Sequence, residues 1–183
     1  PRIRPEDGLA RLVVGLGTRA VDRTGDDYPR MMALGQPTLR ELVKPQEVVR
    51  LSQRYVDAIN LAENRLETVP VHELLEKAGR VPGLEQTLSI YQDGLLRTPT
   101  GTLMMASSED LVVTFDRFAS DSPYPRLLKW ALSRLEQAYG CPVDIEFAFD
   151  GERFYLLQCR PQAQRRAGSA VRVPGEVPEQ DQV

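Results

Sequence analysis

The chain holds a single histidine, His72, and only two cysteines, Cys141 and Cys159. So thin a supply excludes a Cys/His zinc site and a disulfide framework. The two cysteines flank one candidate hairpin and are within reach of each other, but free cytosolic thiols are the expected state. Lysine is almost as scarce. None of Lys44, Lys77 and Lys129 stands beside a glycine-rich loop, so none is assigned to a phosphate. No apolar run approaches the ~20 residues that a membrane span requires. The opening PRIRPEDG carries charges and prolines where a signal peptide needs an apolar stretch. A net charge of −3 gives no pull toward nucleic acid or an anionic membrane. The expected partners are therefore small molecules and the expected location is cytoplasmic.

What the chain does have is enough apolar material for a real core. Of its 183 residues 42% are hydrophobic and 27% charged, which suits one globular domain or two small lobes. The missing initial Met and the polar tail QAQRRAGSAVRVPGEVPEQDQV (residues 162–183), rich in Pro and Gly, read as an excised piece of a longer protein with a linker at its end.

Periodicity supplies the elements. Acids at residues 6 and 7, followed by Leu9, Leu12, Val13 and Leu16, predict a helix that Gly15 and Gly17 end. Residues 19–22 read as a short strand and 22–30 as a loop. Residues 48–51, 55–61 and 66–71 read as extended, with a turn at 63–65 joining the last two. Residues 72–78 form a short helix, and 87–91 and 110–118 are strands around a loop at 97–109. The strongest helix is 123–139, capped by Asp121 or Ser122, with Leu128, Ala131, Leu132 and Leu135 as its buried stripe and Gly140 as its stop. Strands able to pair antiparallel, with helices at intervals, make the class α+β.

The segment that carries chemistry is DIEFAFDGERFYLLQCRP, residues 144–161. It reads as a hairpin around Asp150-Gly151. Alternation puts Asp144 and Glu146 on one face of the first strand, and Gln158 and Arg160 on one face of the second. A two-residue loop would pair Glu146 with Tyr155 and send Gln158 to the other side. A three-residue loop would set Asp144 opposite Gln158 and Glu146 opposite Leu156, lining all four polar groups on one face. Carboxylate and amide oxygens suit Mg²⁺ with phosphate oxygens, and an arginine suits charge on a phosphoryl group. Spacing alone favours the plainer reading, a solvated face with weak ion pairs.

The same segment resembles the end of the nucleotide-binding domain of the phosphoenolpyruvate synthase and pyruvate phosphate dikinase family. The shared features are an Asp-Ile-Glu-Phe strand, a turn with glycine, and a Leu-Gln-x-Arg-Pro strand. The preceding AYGCPVDIEF matches as well, and GLARLVVGLGTRAVDRTGDDYPR (residues 8–30) is similar to the family's Gly-Leu-Gly segment. The resemblance implies the second half of an ATP-grasp fold, mostly antiparallel sheet with packed helices, over residues 1–161. A polar linker from 162 would then lead to a swivelling phosphohistidine domain. It implies Glu146 and Gln158 as ligands of Mg²⁺ and of ATP phosphates, Asp144 as an acid of the same cluster, and Arg160 as the catalytic arginine. The implied reaction takes phosphoryl from ATP to a histidine and then to pyruvate, with AMP as a product. Related enzymes use the same domain with an antibiotic or a glucan as acceptor. A non-catalytic nucleotide-binding or interaction module is the alternative from another class. The family's first lobe, with its Gly-rich loop, Lys and Arg, has no counterpart in this sequence, so the piece alone is expected to be inactive. His72, in VPVHELL, lacks the Gly- and Thr-rich context of the phosphorylated histidine. Many relatives carry Glu after Gly-Leu-Gly. Here Thr18 and Arg19 follow, and the loop they begin is either near the nucleotide or simply solvated.

Overall fold

The computed structural model describes residues 4–21, 28–40, 42–77, 81–99 and 107–162. Its strands are β1 (Leu9–Leu12), β2 (Arg30–Ala33), β3 (Tyr55–Asn60), β4 (Arg65–Pro70), β5 (Leu88–Gln92), β6 (Leu95–Arg97), β7 (Leu111–Val113), β8 (Val143–Phe149) and β9 (Phe154–Pro161). Its helices are α1 (Thr18–Val21), α2 (Pro45–Leu51), α3 (Val71–Lys77), α4 (Asp116–Asp121) and α5 (Tyr124–Tyr139). Among the described residues every strand pairing is antiparallel, in four small sheets: β1–β2, β3–β4, β6–β5–β7 and β8–β9. Helices and antiparallel sheets together make the fold α+β, as the pattern predicts.

Several local expectations need correction. The predicted helix over 9–16 is strand β1, with Ala10 and Leu12 buried and Leu9 and Arg11 exposed. A single helical turn at Pro5–Asp7 ends at Gly8, whose φ of +81° redirects the chain into extended structure. The expected strand at 19–22 begins as the short helix α1. Residues 48–51 lie in α2, where Pro45 in the first turn supplies a preset φ and lacks an N–H the helix does not need. The strand expected over 110–118 stops at Val113, and α4 follows after Phe115. The residue directly before α5 is Pro123, which makes no side-chain cap bond. Of the two expected caps, Ser122 does meet the helix start, its Oγ accepting the Tyr124 N–H at 3.4 Å. Gly140 does end it, in the left-handed conformation, with its N–H on the Glu136 carbonyl. The segment read as a linker lies, beyond Gln162, outside the described residues, as do 22–27 of the charged loop.

The core draws on nearly every element. Ala10 and Leu12 of β1, Met32 of β2, Val56 of β3, Leu88 of β5, Val113 of β7, Phe118 of α4 and Leu128 of α5 are buried in one cluster. Burial of such side chains contributes roughly 1.5–3 kcal/mol each. The β8–β9 hairpin joins this cluster through one face only. Ile145, Phe147, Phe149 and Phe154 pack on it, and Val143 is buried. Phe149 lies 4.2 Å, centroid to centroid, from Tyr124 and 6.2 Å from Phe118, while Phe147 stacks on Phe154 at 5.5 Å. Aromatic pairs of this kind add about 0.5–1.5 kcal/mol each beyond their area. The turn of the hairpin is held from outside as well. Gly151, at φ +99°, lies so close to Pro82 that a Cβ would sit 2.5 Å from the proline carbonyl.

Candidate functional site

The outward face of the β8–β9 hairpin carries the polar row. Asp144 is directly opposite Arg160, and Glu146 directly opposite Gln158. Directly opposed residues share a face, so all four side chains point the same way, and all four are exposed. The register is neither of the two simple ones. Phe149 pairs with Phe154 across a four-residue turn, and a shift between Glu146 and Phe147 leaves Leu157 as an extra residue in β9. The common face thus arises from a longer turn plus a β-bulge. Turn propensity points to a two-residue Asp-Gly loop, while the functional reading requires a three-residue loop or a bulge with the same effect.

Asp150 explains the longer turn. Its Oδ1 accepts the backbone N–H groups of Glu152, at 2.9 Å, and Arg153, at 2.7 Å. Its Oδ2 accepts the Tyr155 hydroxyl at 2.8 Å. These bonds, led by the one from Arg153, pull the Asp150 carboxyl down to about 2. The carboxylate is therefore a structural anion of the turn, and the Asp-Gly pair does not close a two-residue loop.

Within the row the four groups differ in their commitments. Arg160 donates from Nε and Nη2 to Asp144 Oδ2, at 3.1 and 2.8 Å. The pair is more than half exposed on both sides, so its net worth is within ~1 kcal/mol. The hydrogen bond to Asp144 raises the Arg160 pKa further, with Glu146 adding to the same effect. Arg160 is thus a permanent cation whose Nη1 makes no hydrogen bond among the described residues. The carboxylate of Glu146 and the amide of Gln158 make no hydrogen bond among the described residues. Two unengaged oxygen-bearing groups, face to face beside a fixed arginine, can accept a hard cation or meet polar ligand atoms.

The Gly-Leu-Gly segment does a different job. Gly15, at φ +87°, lies against β3, where a Cβ would meet the Asp57 carbonyl at 2.6 Å. Leu16 N–H donates to that same carbonyl at 2.8 Å. The buried Gln53 side chain clasps Val14 on both sides, accepting its N–H at 2.8 Å and donating to its carbonyl at 2.8 Å. Thr18 and Arg19 both hold Asp57, at 2.7 and 3.1 Å, and Thr68 adds a third bond at 2.7 Å. Burial works to raise the Asp57 pKa, yet the hydrogen bonds from Thr68, Thr18 and Arg19 outweigh it and keep the carboxyl low. Residues 15–19 are thereby a packing clasp on β3. Sequence reasoning missed Asp57 and Gln53 altogether, because a lone Asp in a strand and a lone Gln before it carry no motif.

The remaining candidates are placed as follows. Lys129 pairs with Asp7 at 2.6 Å, Lys77 with Glu73 at 3.0 Å, and Lys44 with Glu47 at 3.9 Å. His72 is exposed near the start of α3, at the rim of a shallow groove between α2, the ends of β3 and β4, and β7. Both cysteines are free. Among the described residues no group of three His, Cys, Asp or Glu side chains is preassembled for a metal, and no helix is long and apolar enough to cross a membrane.

A family model described as the AMP/ATP-binding domain of pyruvate phosphate dikinase matches residues 3–181. The chain belongs to this family. As a dikinase-type nucleotide-binding domain it is the ATP/AMP-binding part of a kinase of that kind. The match runs past Pro161 and so includes most of the segment read as linker. No curated protein and no solved structure matches the chain.

Proposed function

We propose that this domain is the second lobe of an ATP-grasp clamp in a phosphoenolpyruvate-forming phosphotransferase, and that the outward face of the β8–β9 hairpin holds the ATP phosphates. The observation that carries this reading is the pairing of Glu146 with Gln158, both unengaged, next to Arg160 held by Asp144. AMP as product means that the bond between the β-phosphorus and the oxygen bridging it to the α-phosphorus breaks. A histidine nitrogen from another domain of the parent protein attacks the β-phosphorus, and the electron pair leaves on AMP oxygen. The γ-phosphate of the resulting pyrophosphoryl-histidine then passes to water or inorganic phosphate, which leaves one phosphoryl group for pyruvate. Arg160 offers its guanidinium to the non-bridging oxygens that carry charge in such a transfer. Glu146 and Gln158 fit Mg²⁺, which takes one or two carboxylates and fills its remaining positions with water and phosphate oxygens. When bound, Mg²⁺ would neutralise phosphate charge. The three oxygens that Glu146 and Gln158 present would fix its position relative to Arg160.

In this reading a first lobe and a phosphohistidine domain complete the machinery, pyruvate is the final acceptor, and residues 1–183 alone are inactive. The test is Arg160→Ala in the full-length protein, with AMP release as readout. Loss of ~10³-fold or more in turnover is expected, the scale of a transition-state arginine, with unchanged thermal unfolding because Arg160 is exposed. Turnover within a few-fold of wild type would overturn the assignment.

A further inference from the structure

The bulge in β9 is a feature that the proposed chemistry leaves unexplained. On the turn side of it the pairs are Phe147–Leu156, Ala148–Tyr155 and Phe149–Phe154; beyond it they are Glu146–Gln158, Ile145–Cys159 and Asp144–Arg160. Leu157 has no partner in β8 and is 64% exposed. Without the bulge, the register set by the turn would place Leu157 opposite Glu146. Gln158 and Arg160 would then face the core with Ile145. The chain as written therefore needs the bulge to bring its polar row together.

A chain lacking Leu157 would not need it. With that residue removed, Gln158 follows Leu156 directly, and every pair on both sides of the bulge forms in unbroken register. The extra leucine adds nothing to pairing and leaves an apolar side chain in water. What a bulge does add is local twist and a bend, and bulges re-aim side chains. Its location fits that role. The turn half of the hairpin is fixed by Phe149 on Tyr124, by Phe147 on Phe154 and by Gly151 against Pro82. The half beyond the bulge carries Glu146, Gln158, Asp144 and Arg160 on its outward face, and Ile145 and the buried Val143 seat its inward face.

We propose that the Leu157 bulge is a positioning device. It sets the angle between the anchored half of the hairpin and the half that presents Gln158 and Arg160, and its backbone, not the leucine side chain, does this. The inference rests on the functional reading above. A positioning error of ~1 Å at reacting groups costs on the order of 10²-fold in rate.

The test compares three variants of the full-length protein: deletion of Leu157, Leu157→Ser and Arg160→Ala. The deletion should unfold thermally like wild type and bind AMP within a few-fold of wild type by calorimetric titration. Its kcat should fall ~100-fold with little change in KM for ATP, the split expected when ground-state binding survives and transition-state alignment does not. Leu157→Ser, which keeps the extra residue, should retain kcat within ~3-fold. A deletion variant with wild-type kcat overturns the proposal. So does one that fails to fold, because it would show Leu157 to be needed for the hairpin itself. Leu157→Ser as damaging as the deletion also overturns it, by shifting the role to the side chain. Arg160→Ala separates the two levels. If it is active, the functional reading fails; if it is dead while the deletion is active, only the bulge proposal fails.

Discussion

Two hairpins in this molecule carry acids on a polar face, and they use them in opposite ways. In β3–β4 the register is unbroken from Tyr55–Pro70 to Asn60–Arg65. Its Asp57 is largely buried and receives Thr18, Arg19 and Thr68. In β8–β9 the register breaks, and Glu146 faces water with no hydrogen-bond partner among the described residues. A carboxylate whose lone pairs are filled by fixed donors holds elements together. One left open costs little while solvated and is available to a ligand. An acidic side chain on a strand is common to both hairpins and cannot by itself distinguish them. What distinguishes them is whether another part of the chain brings donors to the same face.

The contrast can be broken by exchanging the predicted losses. Glu146→Ala should cost ~10²-fold in turnover of the full-length protein, in line with loss of an electrostatic contact made in the transition state. Its unfolding free energy should stay within ~0.5 kcal/mol of wild type, as for other surface changes. A destabilised Glu146 variant with normal turnover would place it in the same class as Asp57. Asp57→Ala should do the reverse. Removing a charged acceptor of three hydrogen bonds should cost about 2 kcal/mol of stability by denaturant titration, with turnover per folded molecule unchanged. Lost turnover in a fully folded Asp57 variant would bring the Gly-Leu-Gly clasp into the site.

The smallest effect concerns the turn between the polar strands. The folded Asp150 carboxyl sits at about 2, below its ordinary 3.8. Its contribution is therefore fully present above pH ~4 and is lost as pH falls toward 2. Asp150→Asn should then narrow its stability gap from wild type across that window, as followed by thermal unfolding at stepped pH. A gap independent of pH would mean that the Asp150 bonds do not depend on its charge.

The two hairpins also show what was legible in advance. Residues 55–61 and 66–71 read as extended around a turn at 63–65, because β-branched and apolar residues alternate there. The strands run close to those bounds, with Arg65 in β4 and Val71 already in α3. The outward row of β8–β9 was legible for the same reason, since alternation fixes which residues of one strand share a face. How the two strands align was not. The turn depends on Asp150 accepting two backbone N–H groups, and the bulge on a balance between anchored aromatics and strand twist, neither of which leaves a sequence pattern. The misread helix at 9–16 has a related cause. Leu9, Leu12, Val13 and Leu16 fit helical spacing, but Ala10 and Leu12 are the residues that meet the core, and β1 is fixed by its pairing with β2 from Leu9–Ala33 to Leu12–Arg30, well outside helical range. In α2, Val48 and Val49 suggested a strand, while Pro45 was the signal that should have prevailed.

The contact at the hairpin turn has a consequence for sequence variation. Gly83 and Gly151 both have positive φ, and a Cβ on Gly83 would lie 2.8 Å from the Cα of Gly151. Two main chains touch there with no side chain between them. Neither glycine can be replaced without moving the other segment, and any such movement travels along β8 and β9 to the polar row. A random-substitution library of this domain should therefore leave positions 83 and 151 nearly invariant together, although neither bears a functional group. Depletion at that pair would mark the backbone seat of the site as sharply as depletion at Arg160 marks its chemistry.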